Sequence, residues 1–147
     1  MNKLNEKIAA LAKYQKETDL SGYREEYGEI VCPDDTRWMV YTDAEADEAV
    51  SNYIADNLWA FNADFILDHC DTVDESDKKA VTKSLLDIQG KLCERANGIC
   101  LALIGGKAGL PQFVEDAVDA DGRGHFLSDW DGEEVELGGG FFGYRVG

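Results

Sequence analysis

The sequence has little positive charge. Its 147 residues contain 30 Asp and Glu against 14 Lys and Arg, a net charge of −16. Binding to a nucleic-acid backbone needs clustered Lys and Arg that displace counterions, so we predict that the protein does not bind DNA or RNA itself. No apolar run reaches the roughly 18 residues that span a bilayer, and we expect no membrane as a partner.

Neither a secretion signal nor a disulfide framework is predicted from the sequence. Residues 1–7 lead into a mixed charged stretch without the apolar core of a signal peptide. We therefore expect a cytoplasmic protein with reduced thiols that pack as small apolar side chains. The four cysteines form no C-x-x-C pair; they are Cys32, Cys70, Cys93 and Cys100.

Motifs that carry catalysis or bind metals are scarce. The two histidines, His69 and His125, lie in no zinc or triad pattern, and no glycine loop has the spacing of a phosphate-binding loop. Segment 119–130 departs from a calcium loop, because Arg123 occupies its fifth position and Trp130 stands where a bidentate Glu is required. We predict no catalytic residue, no metal and no cofactor, and expect that the protein is not an enzyme.

The negative charge is concentrated in two blocks that flank a basic segment: residues 111–147 contain nine acids against Arg123 and Arg145, and residues 43–77 form the acidic block. Residues 43–77 contain eleven acids and no Lys or Arg, whereas residues 78–110 contain six bases and two acids. Like charges four residues apart on a helix repel each other by tenths of a kcal/mol. The acids of the block are Asp43, Glu45, Asp47, Glu48, Asp56, Asp64, Asp68, Asp71, Asp74, Glu75 and Asp77.

Periodicity and capping residues predict a helical body. Apolar residues at helical spacing predict a helix over 3–18, and residues 19–37 are expected to be irregular because Gly and Pro interrupt them. Aromatic and branched residues predict a strand over 38–41. The hydroxyl and carboxylate three residues apart in 42–45 form a capping box that predicts the start of a helix. A further helix is predicted over 62–70.

The middle of the chain predicts the longest helix. A second capping box at 72–75 opens it, Gly90 and 97–98 are expected to bend or break it, and 105–106 to end it. Pro111 is expected at the first position of the next helix, which Asp121 and Gly122 close.

From Gly124 onward the pattern changes to strands and turns. Residues 133–137 alternate between polar and apolar side chains, and a glycine run separates them from a second strand over 141–146. The fold class is therefore expected to be α+β, a helical body with a small C-terminal antiparallel sheet that includes the strand near Tyr41. We predict a single domain over residues 1–147.

The acidic block contains a regular row of carboxylates. Asp64, Asp68 and Asp71 fall at i, i+4 and i+7, which on a helix places one carboxylate per turn, about 5–6 Å apart. Such a row is similar in spacing to the phosphates of a nucleic-acid strand. The alternative is a solvated face that pairs with bases of the next segment, Lys78, Lys79, Lys83 and Lys91.

Two segments carry a resemblance to a known family. Residues 122–134, together with Tyr144 and Arg145, and residues 58–62 resemble small acidic accessory proteins encoded by tailed bacteriophages and prophages. The resemblance carries no catalytic motif. It implies an accessory role inside the bacterial host cell.

Two functions of different class are consistent with these features. The first is a non-enzymatic inhibitor whose carboxylates mimic phosphates. They would occupy the basic nucleic-acid-binding site of a host defence enzyme, such as a CRISPR effector or a restriction enzyme. The second is an interaction or regulatory module in which the acidity serves solubility. The predicted partner-binding residues are Asp56, Asp64, Asp68, Asp71, Asp129, Trp130 and Asp131. The alternative interpretation of the acidic turn 129–134 is a binding site for a hard cation.

Overall fold

The computed structural model describes residues 2–147, which form two compact units. The sheet unit comprises the residues up to Val50 together with Asp121–Gly147, and the helical unit comprises Ser51–Ala120. The single domain stays a prediction. The helices are α1 (Lys3–Tyr14), α2 (Asp43–Asp56), α3 (Ala63–Asp68), α4 (Lys78–Leu92), α5 (Asn97–Leu103), α6 (Gly106–Asp121) and α7 (Arg123–Leu127), with 3-10 turns at Leu58–Ala60 and Cys93–Ala96. The strands are β1 (Arg24–Glu26), β2 (Glu29–Val31), β3 (Arg37–Thr42), β4 (Val135–Gly138) and β5 (Phe141–Arg145).

The strands form one antiparallel sheet in the order β1-β2-β3-β5-β4. The mixed helix-and-sheet class is confirmed, but the sheet is not only C-terminal, because three of its five strands precede α2. The error lies in residues 19–37, which contain the β1–β2 hairpin. Its two turn residues, Tyr27 and Gly28, both have positive φ (54° and 82°). Such turns favour Asn-Gly, so a tyrosine at the first position gives no turn signal.

Helix α1 covers the core of the sheet unit. Leu11 and Ala12 are fully buried and pack with Trp38, Val40 and Leu137 from the sheet. The helix ends at Tyr14 and not at residue 18, because the chain turns away through Lys16, whose φ is 59°.

One of the two predicted capping boxes exists. The Thr42 backbone N–H donates to Glu45 Oε1 at 2.9 Å, and the Glu45 N–H donates to Thr42 Oγ1 at 3.2 Å. The box at 72–75 is wrong, because α4 begins at Lys78. The Thr72 hydroxyl instead contacts the Cys70 thiol at 3.3 Å.

Two more helix boundaries differ from the prediction. The long helix breaks at Cys93, whose φ is 50°, and not at Gly90. Helix α6 begins at Gly106, so Pro111 lies inside the helix. A Cβ on Gly109 would lie 1.7 Å from the Ile104 carbonyl oxygen, so only glycine permits this tight start.

The segment after Gly122 is also helical before it becomes strand. Residues 124–127 were expected in strands and turns but belong to α7. Gly124 packs directly on the backbone of the following turn, since a Cβ there would lie 2.6 Å from Glu133 and Glu134 backbone atoms. The strand near 38–41, the two C-terminal strands and the helix within 62–70 are confirmed.

The helical unit has an aromatic core and a buried side-chain amide that donates to two backbone carbonyls. The Phe113 ring meets the rings of Phe61 and Phe65 with centroids 5.0 Å apart in each pair. The buried Gln89 amide donates to the carbonyls of Trp59 and Phe61 at 2.9 and 2.8 Å. This amide satisfies carbonyls of the 3-10 turn that links α2 to α3.

Candidate functional site

The eleven acids of residues 43–77 divide into a paired and an unpaired group. Four of them form ion pairs within 4 Å, and the bases lie elsewhere in the sequence. The pairs are Asp43 and Asp47 with Arg123, Glu45 with Lys3 and Lys7, and Asp68 with Lys78.

Arg123 is the centre of the largest charge cluster in the sheet unit. Its guanidinium donates to Asp43 and Asp47 at 2.9 and 3.0 Å and to Glu134 at 2.7 Å, with 11% of the side chain exposed. Partial burial acts to lower the pKa of Arg123, but the Glu134, Asp43 and Asp47 hydrogen bonds raise it above its usual range. The cluster therefore fixes its acids in the fold. Only the scarcity of bases near the C-terminus pointed to Arg123 in the sequence.

Glu45 is likewise held in the fold by a hydrogen bond and by ion pairs. Its carboxylate accepts the Thr42 backbone N–H and lies 3.1 Å from Lys7 Nζ and 3.4 Å from Lys3 Nζ. The Thr42 hydrogen bond is the main cause that lowers the pKa of Glu45 to about 2, and Lys7 adds to it. This carboxylate belongs to the cap of α2.

Seven acids of the block are exposed and form no ion pair within 4 Å among residues 2–147. Three of these, Asp74, Glu75 and Asp77, precede the start of α4, where negative charge interacts favourably with the helix dipole. The remaining four are Glu48, Asp56, Asp64 and Asp71. Three of those four belong to the predicted partner-binding set.

The predicted row of three carboxylates is wrong in its last member. Asp64 and Asp68 lie one turn apart on α3, but the helix ends at Asp68 and Asp71 lies in the following turn. Asp68 is also paired with Lys78, and that hydrogen bond is the main cause that raises the pKa of Lys78. The internal-pairing alternative therefore holds for Asp68, and Asp64 remains the unpaired carboxylate of this helix within the described chain.

The predicted second contact, residues 129–131, is an exposed turn. Asp131 Oδ1 accepts the Glu133 backbone N–H at 3.0 Å and lies 2.9 Å from Ser128 Oγ, so Asp131 shapes the turn. Trp130 is 59% exposed, and its ring stacks on the Arg145 guanidinium at 4.0 Å from the centroid. Asp129 is exposed beside it. Among residues 2–147, no group of three His, Cys, Asp or Glu side chains is arranged to hold a metal ion.

His69 makes a contact that the sequence did not predict. Its Nε2 lies 2.7 Å from Asp116 Oδ2, and its Nδ1 lies 2.9 Å from the Phe65 carbonyl oxygen. Both partner atoms are acceptors, so which of the two contacts is a hydrogen bond depends on the tautomer of the ring. The His69 hydrogen bond is the main cause that lowers the pKa of Asp116.

The four cysteines are free thiols, with Cys32, Cys70 and Cys100 buried as expected and Cys93 exposed. None of the described helices is long and apolar enough to cross a membrane. Comparison of the chain with protein-family models, with curated proteins and with solved structures gives no match.

Proposed function

We propose that the protein is a non-enzymatic inhibitor that binds a basic, nucleic-acid-binding host enzyme through exposed carboxylates of its helical unit. The observation that carries the proposal is the set Asp56, Asp64 and Asp71. These side chains are exposed and have no ion pair within 4 Å among residues 2–147. Carboxylates held on a folded surface attract a basic channel and speed association at low salt.

The setting of the proposal rests on the resemblance to bacteriophage accessory proteins. In that setting, the enzyme is a host defence nuclease of the CRISPR or restriction type, and the carboxylates take the place of phosphates in its basic channel. The turn with Asp129, Trp130 and Asp131 is proposed as a second contact, since an exposed tryptophan beside an arginine is typical of binding hot spots.

A cleavage assay tests the proposal. Purified CRISPR and restriction nucleases cut a DNA substrate in the presence of the protein or of the variant Asp56→Asn/Asp64→Asn/Asp71→Asn. Inhibition is expected from the protein and not from this variant, and is expected to weaken at high salt. The matched control is Glu6→Gln/Asp35→Asn/Glu136→Gln, which removes equal charge from exposed acids of the sheet unit. Equal inhibition by both variants would contradict the proposal.

An interaction module is the second candidate, and exposed aromatic side chains favour it. Tyr27 is 93% exposed at the tip of the β1–β2 hairpin, and Trp130 is 59% exposed. Aromatic side chains of this kind bind partners through packing, which salt screens little. If the variant Tyr27→Asn/Trp130→Ala loses a partner that the carboxylate variant keeps at all salt concentrations, this candidate replaces the inhibitor.

A further inference from the structure

The helical unit has a groove between α3 and α4, beside the unpaired Asp64. The groove is a recess of about 330 Å³ whose lining includes Asp64, Phe65, Asp68, Thr82 and Leu86. Asp64 and Asp68 are the charged residues that line this recess. Because Asp68 pairs with Lys78, the carboxylate left for a ligand here is that of Asp64.

The groove also exposes an apolar side chain to solvent. Leu86 is 57% exposed, although its side chain is apolar. The Thr82 Oγ1 atom is buried and has no hydrogen-bond partner among residues 2–147. Burial of the Leu86 side chain therefore favours an occupant of the groove, whereas the enclosed Thr82 hydroxyl offers no contact to it.

We propose that this groove binds an arginine side chain of the basic partner; this inference rests on the proposed function. Arginine combines the three chemistries that the walls offer. Its planar guanidinium donates in a fork to a carboxylate such as Asp64, and its face stacks on an aromatic ring such as Phe65. Its aliphatic stem covers apolar surface such as Leu86.

Lysine fits the same walls less well than arginine. Its compact ammonium is strongly hydrated and has no planar face to stack on Phe65. A second recess of about 300 Å³ shares Asp64 and Thr82 with the groove, but its lining also includes Lys78 and Lys79. These ammonium groups repel a cation, so the guanidinium is placed on the Phe65 side of Asp64.

The test uses the tripeptide acetyl-Gly-Arg-Gly-amide as a probe, with its Lys counterpart as the comparison. The peptides are titrated into isotopically labelled full-length protein at low salt, and amide NMR shifts are followed. Saturable shifts are expected at Asp64, Thr82 and Leu86, with weaker binding of the Lys peptide. In Asp64→Asn, the Kd for the Arg peptide should rise roughly twofold to fivefold.

Two variants control the test. Asp71→Asn removes the same charge from an exposed turn outside the groove and should leave the Kd unchanged. Leu86→Ala retains every charge and should weaken binding of the Arg peptide, because the stem loses its apolar contact. Equal weakening by Asp64→Asn and Asp71→Asn, or shifts spread over all acids, would overturn the arginine site and indicate general electrostatic attraction only.

Failure of this site and failure of the proposed function give different results. In one outcome, the variant Asp64→Asn inhibits the nuclease as strongly as the unaltered protein does, and the variant Asp56→Asn/Asp71→Asn does not inhibit it. The arginine site is then wrong and the inhibitor proposal stands. If the Arg peptide binds as expected and no nuclease is inhibited, the site stands and the inhibitor proposal is wrong.

Discussion

The two units use their acidic side chains in opposite ways. In the sheet unit, Arg123 gathers three carboxylates, and Lys3 and Lys7 hold Glu45. In the helical unit, neutral amides organise the backbone, and six of the seven acids of the block form no ion pair within 4 Å among residues 2–147. Net charge therefore does not distinguish structural from available carboxylates. The distinction depends on which bases the fold brings to them, and each prediction below tests one side of it.

The largest effect is expected from Arg123→Met. The variant leaves the carboxylates of Asp43, Asp47 and Glu134 without their common cation, in a cluster where the arginine is only 11% exposed. We expect the free energy of unfolding to fall by about 2 kcal/mol, mainly through Glu134, which is 31% exposed, and through repulsion among the three acids, because Asp43 and Asp47 are 71% and 68% exposed and stay solvated. Urea denaturation measures it.

Lys78→Met is the matched control for this prediction. Its partner Asp68 is 53% exposed and remains solvated after the change. The loss should be below about 1 kcal/mol. Equal losses in the two variants would mean that the contrast between the units does not exist.

A similar but salt-independent loss is expected from Asn97→Ala in the helical unit. The Asn97 amide donates to the Ala55 carbonyl at 2.6 Å and accepts the Trp59 N–H at 3.1 Å. Without it, partly buried backbone groups lose their partners, at a cost of about 2 kcal/mol. Urea denaturation at low and high salt should give the same loss. A loss that disappears at high salt would mean that the helical unit also depends on ion pairs.

These contacts mark how far the sequence alone predicts this molecule. Local signals were sufficient where neighbours in sequence interact, as in the capping box of Thr42 and Glu45. They failed where a distant group decides the outcome. Arg123 neutralises acids that lie 76 and 80 residues away, and no local pattern contains that information.

Turns and helix ends failed for a related reason. Tyr27 adopts a positive φ that its residue type disfavours, and the Thr72 hydroxyl contacts a thiol instead of capping a helix. For the candidate site, the sequence identified Asp56, Asp64 and Asp71 as acids without a local base. The sequence offers several lysines as partners of Asp68, because it does not fix which side chains approach one another.

Acidification is expected to have a smaller effect on the free energy of unfolding, through protonation of the Glu45 carboxylate. Its pKa of about 2 in the fold lies below the ordinary 4.5, so its carboxylate stabilises the fold above pH 4.5. That contribution is lost as the pH falls through this window toward 2. Because the side chain is 33% exposed, we expect about 1 kcal/mol. The difference in unfolding free energy between the protein and Glu45→Gln should shrink over this range, and a constant difference would contradict the assignment.

The smallest change in the free energy of unfolding is expected from Asp64→Asn, because a carboxylate that is available to a partner should contribute little to folding. Asp64 is exposed on α3 and has no ion pair within 4 Å among residues 2–147, so its longer-range attraction to Lys78 is screened by solvent and contributes little. The free energy of unfolding should stay within about 0.5 kcal/mol or rise slightly at low salt. Asp68→Asn is the matched comparison on the same helix, and it should lose a few tenths of a kcal/mol with its Lys78 pair. If Asp64→Asn instead destabilises the fold by more than Asp68→Asn, its carboxylate has a structural role and is not available to a partner.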